Sequence, residues 1–252
     1  NSLRRSFRHW WKAPRRVIDR EIDRRVTFLE LFYDLVYVVL IAELAHSLSE
    51  NIDLLGIGSF VFLFVIVWWA WINGTMYHDL HGHNDTRTRV LTFVQMFCVA
   101  AMAVFAHNAL GEESVGFALS FAAMQLTLTY LWWRTGIHDP LHRPLSRPYS
   151  LTCLITALLF VLSVFVPTPW RFYLWGLSLL VSLLLPLYLL TLGRKDPAIQ
   201  AEIDRSSTAS PAGVERFGLF TIIVLGEVIV GVVQGVAGHH HLSWLVGGTA
   251  GL

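Results

Sequence analysis

The sequence predicts an all-α fold, a polytopic transmembrane helical bundle of about seven to eight spans. Three observations carry that prediction. Hydrophobic residues make up 54% of the 252 residues and charged residues only 15%. A soluble domain is roughly 25% charged, so this chain lacks the charge to cover a water-facing surface. Apolar runs of about 20 residues, each long enough to cross about 30 Å of hydrocarbon, recur along it. Basic residues collect in alternate loops between those runs, which is how cytoplasmic loops of membrane proteins are marked.

The arm at residues 1–25 contains nine basic side chains interleaved with Phe7, Trp10 and Trp11. That mix suits a segment lying on the anionic lipids of an inner leaflet. A basic flank beside a span is a topology signal, so nucleic acid is not an expected partner. The net charge of +1 likewise points to no acidic partner. Residues 26–252 form the transmembrane domain. Its spans are expected at 26–47, 54–77, 90–110, 115–133, 149–166, 170–192 and 214–237. An eighth starts near Leu242 and the chain stops at Leu252 before it could cross, so truncation on the C-terminal side is expected. With the N-terminus in the cytoplasm, all of the 19 Lys and Arg residues except Arg171 fall on the cytoplasmic side. Glu50, Asp53, Glu112 and Glu113 mark the external loops. Trp68, Trp69 and Trp71, with Trp132 and Trp133, read as aromatic belts at the cytoplasmic interface. Cys98 and Cys153 lie in apolar runs with neither metal spacing nor a disulfide framework.

Ionisable residues inside spans are the informative ones, because each costs about 2.5–3.5 kcal/mol at a helix centre unless it finds a partner or a wet cavity. The first span carries Glu30, Asp34 and Tyr37 along one stripe, with Glu43 nearer the outside. The seventh places Arg216, Glu227 and Gln234 on one face, with Gly231 and Gly235 forming a GxxxG against which a neighbour, the first span, could pack. Asp34 and Glu227 lie deep and read as ion or proton sites. Arg216 reads as a fixed counter-charge at the cytoplasmic mouth, about 17 Å from Glu227. Glu30 and Glu215 fit either function or plain anchoring of helix starts. The histidines His78, His81, His83, His138 and His142 gather on the cytoplasmic side with Asp79, Asp85 and Asp139. His and Asp clusters hold transition metals. Interfacial capping explains the same residues, and no cofactor is assigned on their account.

The runs LELFYDLVYVVLIAELA (29–45) and ERFGLFTIIVLGEVIVGVV (215–233) resemble the two signatures of the bacterial low temperature requirement protein A family. The polar end of the second span, with Asn73, Asp79 and Asp85, is similar to that family's as well. Tyr33 and Tyr37 depart from it, standing where Phe is usual, and Val228 stands where Ser commonly follows the Glu. The resemblance implies an integral protein of the bacterial inner membrane linked to growth in the cold, and implies no settled biochemistry. It picks out Glu30, Asp34, Glu215, Arg216 and Glu227 as distinctive polar positions. The expected function is a transporter or ion-translocating protein, proton-coupled, moving a small ion or solute. The alternatives are a metal-dependent membrane enzyme acting on lipid through the cytoplasmic histidines, and a structural or sensory protein. A homo-oligomer stays open.

Overall fold

The computed structural model describes residues 26–50, 53–81, 86–140, 142–207 and 210–238. Among the described residues the chain is all helical, with eight helices: α1 (Phe28–Glu50), α2 (Leu54–His81), α3 (Thr86–Val104), α4 (Ser114–His138), α5 (Arg143–Val164), α6 (Trp170–Gly193), α7 (Pro197–Ser207) and α8 (Pro211–Gly238). The arm at 1–25, His83, Asp85 and the expected eighth span lie outside them.

Local sequence sets the helix starts. Thr27 and Glu30 form a reciprocal capping box. The Thr27 N–H donates to Glu30 Oε2 at 2.8 Å, and the Glu30 N–H donates to Thr27 Oγ1 at 3.3 Å. Asp53 caps α2 by accepting the Gly56 N–H at 2.6 Å. Ser210 caps α8 through the Gly213 N–H at 2.9 Å, with Pro211 at the first helical position, where its missing N–H costs nothing. α4 stops at Asp139, whose extended backbone (φ −125°, ψ 96°) suits a residue preceding proline.

Five helices, α2 to α6, are long and apolar enough to cross a membrane by length and composition. α1 and α8, at 23 and 28 residues, have comparable length. Large apolar side chains such as Phe97, Leu158, Leu187 and Ile222 point outward, as lipid-facing positions require. The expected third span is shortened: α3 ends at Val104, and turns occupy 105–113. The fourth and fifth are extended, to His138 and back to Arg143. The short helix α7 was not expected. Its Ile203 packs on the bundle near Leu185 and Leu189 of α6, so it caps one end rather than crossing.

The helices alternate in direction. At one end the start of α8 meets the end of α2, where Ser210 N–H and hydroxyl donate to the Asp79 carboxylate. The end of α2, the end of α4 and the start of α5 meet there too, through Tyr77, Trp132 and Tyr149. At the other end Ser47 near the end of α1 donates to the His107 carbonyl in the α3–α4 turn. Arg87, Arg89, Arg134, Arg143, Arg147, Arg194, Lys195 and Arg216 therefore share the first, basic end. Arg171 lies at the other, where its guanidinium donates to the Ser163 carbonyl (2.9 Å), the Val164 carbonyl (3.2 Å) and the Ser114 hydroxyl. The one basic residue that breaks the charge pattern is thus engaged in capping the end of α5. Cysteines placed at Glu112 and at Lys195 will react with an impermeant thiol reagent from opposite faces of a sealed vesicle. Labelling of both from one face would contradict the alternation.

α1 lies at the centre of the packing, against α2, α3 and α8, while α3, α4, α5 and α6 pack in succession. The main apolar cluster takes residues from α1, α2, α3, α4, α5, α6 and α8, including Tyr37, Trp71, Val99, Phe117, Phe160, Trp175 and Phe220.

Candidate functional site

The capping box fixes where α1 begins, and Ser210 fixes where α8 begins. Asp34 is then the seventh residue of its helix and Arg216 the sixth. They sit about 9 Å and about 7.5 Å from their helix starts. Because α1 and α8 run in the same direction side by side, the two side chains meet. The Arg216 Nε donates to Asp34 Oδ2 at 2.9 Å and its Nη2 to Asp34 Oδ1 at 2.5 Å. Both residues are 2% exposed. The fork-on geometry gives two parallel charge-assisted bonds. The Trp71 indole N–H on α2 donates a third bond to Asp34 Oδ1 at 2.8 Å.

Aromatic rings close the pair off. Trp71 stacks on Phe220 of α8 with centroids 3.9 Å apart, and the Tyr33 ring lies 5.9 Å from the Arg216 guanidinium carbon, within cation–π range. Tyr33 fits only because position 74 is glycine: a Cβ there would overlap the Tyr33 hydroxyl. His78 meets the edge of Tyr33 at 5.3 Å.

Deeper along α1 the Tyr33 hydroxyl donates to the Tyr37 hydroxyl at 3.3 Å, and Tyr37 donates to the Met124 sulfur at 3.8 Å. Gln95 of α3 and Gln125 of α4 are also buried in the bundle, at 0% and 4% exposure. Neither end of the Gln95 amide, nor the Gln125 carbonyl oxygen, nor the Thr75 hydroxyl, nor Arg216 Nη1 has a hydrogen-bond partner among the described residues. A buried polar atom left without a partner costs about 1–3 kcal/mol, so these five atoms are costly positions in the bundle interior.

The structure brings together Glu30, Asp34, Tyr37 and Arg216 in or beside this interior, with Glu30 buried in its capping box. It does not place Arg216 as a lone charge at the mouth. Arg216 instead meets Asp34 across the α1–α8 contact. Glu227 is half-buried and lies eleven residues beyond Arg216, so it is not part of the Asp34 cluster. Glu43 is half-buried and Glu215 is exposed. Gln234, Gly231 and Gly235 fall on α8, and their packing lies outside what is described.

Of the histidines, His81 and His142 approach to 5.2 Å between ring centroids, His78 sits against Tyr33, and His138 Nδ1 faces the Arg134 carbonyl at 2.9 Å. His83 lies outside the described residues. Among the described residues no group of three or more His, Cys, Asp or Glu side chains is placed to hold a metal.

Trp71 and Trp132, expected as lipid-facing belt residues, are fully buried within the bundle, and α2 and α4 continue beyond them to His81 and His138. Sequence reasoning also missed Gln95 and Gln125; an amide in the middle of an apolar run was the available signal. The Trp71 bond gives a direct test. Trp71→Phe keeps most of the ring and removes the N–H, and will lower stability by about 1.5–3 kcal/mol, the range for a hydrogen bond to a charged group. An unchanged unfolding midpoint would show that Asp34 does not depend on it.

A helical membrane protein with a buried acid–base pair between its first and last described helices is the class that fold and site define. The chain belongs to the bacterial low temperature requirement A protein family, whose model matches residues 25–252. It is 31% identical over 235 residues to an uncharacterized protein of Rhizobium meliloti (strain 1021). That match covers 91% of this chain and 54% of the relative, so the chain spans about half the relative's length. No solved structure matches it.

Proposed function

We propose that this protein is a proton-coupled transporter or ion-translocating protein of the bacterial inner membrane, with its N-terminus in the cytoplasm. The observation that carries the reading is the buried Asp34–Arg216 pair, held between two helices that run in parallel through the apolar bundle. Ionisable residues inside spans are costly and are typical of ion and proton pathways. An ion pair in this position works by exchange. A proton or cation that takes the Asp34 carboxylate releases Arg216, and an anionic solute that takes the guanidinium releases Asp34. Each event changes what joins α1 to α8, and so couples occupancy to helix position. The Tyr33–Tyr37 hydroxyls lie beyond the pair along α1, and the buried Gln95 amide and Gln125 carbonyl oxygen are further polar groups such a route could use. Glu227, farther along α8, is proposed as a second carboxylate on the same route.

The basic end faces the cytoplasm in this reading, as the distribution of Arg and Lys favours. A role in growth at low temperature, which the family's name states, belongs to the same proposal. The test is purified protein in sealed liposomes, with internal pH followed after an imposed pH gradient. The proposal requires proton movement well above that of protein-free liposomes. Equal rates across a panel of added cations and anions would remove it.

A further inference from the structure

The geometry points to a binding site for one anionic phospholipid in the groove between the end of α4 and the start of α5, at the basic end of the bundle. The groove encloses about 390 Å³. Its α5 wall places Arg143, Arg147, Leu151 and Leu154 at spacings of four, four and three residues, which is one helical stripe. The polarity of that stripe is that of a lipid. Two guanidiniums lie at the interfacial end, and two leucines run from them towards the membrane interior. Ile137 on α4 faces the same space.

The charges are available. Arg143 uses its Nε to donate to the Gly136 carbonyl at 3.0 Å, which holds the side chain across the helix gap and leaves its terminal nitrogens without a partner among the described residues. Arg147 is exposed and forms no ion pair among them. A second observation is independent of these charges. Trp132 lines the groove, is 0% exposed, and its indole N–H has no hydrogen-bond partner among the described residues. An unpartnered donor in the groove wall is compatible with the oxygens of a phospholipid seated there. Basic pockets between spans on the cytoplasmic side are a recurrent way of holding anionic headgroups. Gly136 permits the close approach that forms the floor, since a Cβ there would come within 2.6 Å of the Ser146 hydroxyl.

The test is native mass spectrometry of the full chain released from a neutral detergent, with phosphatidylglycerol or phosphatidylcholine added. The parent should retain one phosphatidylglycerol in preference to phosphatidylcholine, undiminished by millimolar inorganic phosphate. Two arginines at about 1 kcal/mol each predict that R143Q/R147Q weakens that binding about thirtyfold. R194Q/K195Q, at the basic end but outside the groove, should bind as the parent does. Leu154→Trp, which fills the groove and keeps both charges, should also lose the lipid. Equal retention of both lipids, full displacement by inorganic phosphate, or parent-like binding by R143Q/R147Q or by Leu154→Trp would each overturn the assignment.

Discussion

Arg216→Gln will destabilise the folded protein by about 3–5 kcal/mol, the range for removing one partner of a buried ion pair. The substitution strands the Asp34 carboxylate, 2% exposed, with only the Trp71 N–H bond left. Asp34→Asn will act in the same direction, because it leaves a buried guanidinium without its counter-charge. The double variant D34N/R216Q removes both charges and will recover much of the loss, since a neutral pair needs no charge compensation. A lysine at 216 will not restore the parent, because an ammonium lacks the planar fork that engages both carboxylate oxygens. Unfolding midpoints of the four variants in one detergent check this. Additive losses in the double variant would show that the two residues do not act as a pair.

Proton-linked flux will fall about tenfold or more in Asp34→Asn, because the residue proposed to take the proton is gone. Glu227→Gln will lower flux without the stability loss seen at Asp34. Its carboxylate is half-buried and lies about 17 Å along α8 from Arg216, outside the ion-paired cluster. The two acids therefore separate in experiment: one couples stability and flux, the other affects flux alone. Parent-like flux in Glu227→Gln would remove that residue from the route while leaving the Asp34 proposal standing.

The architecture was readable in the sequence because a bilayer imposes it. Length, apolarity and the position of Arg and Lys are strong constraints, and together they foretold the helical fold and the gathering of charge at one end. The pairing of Asp34 with Arg216 was not readable. It depends on the registry of two helices whose paired residues are 182 positions apart in the chain. That registry is set by packing between helices, including the Ser210–Asp79 contact that places the start of α8 against the end of α2, and no local pattern encodes it. Trp71 was misread for a related reason. A tryptophan near the end of an apolar run is commonly interfacial, but the polar residues Asn73, Thr75, His78 and His81 that follow it are still helical and, for the last three, buried. Arg171 could be recognised as the exception to the charge pattern. Its capping of α5 required the fold, because the Ser114 hydroxyl it meets is 57 positions away.

The central claim is that the Asp34–Arg216 pair moves charge rather than merely joining two helices. D34N/R216Q tests it most directly, because both charges are removed while the fold is retained. The measurement is proton-linked flux through D34N/R216Q in sealed liposomes, at reconstitution levels matched to the parent. The account predicts folded protein with flux reduced to that of protein-free liposomes. Folded D34N/R216Q that moves protons at the parent's rate would contradict it, and would leave the pair as a clasp between α1 and α8.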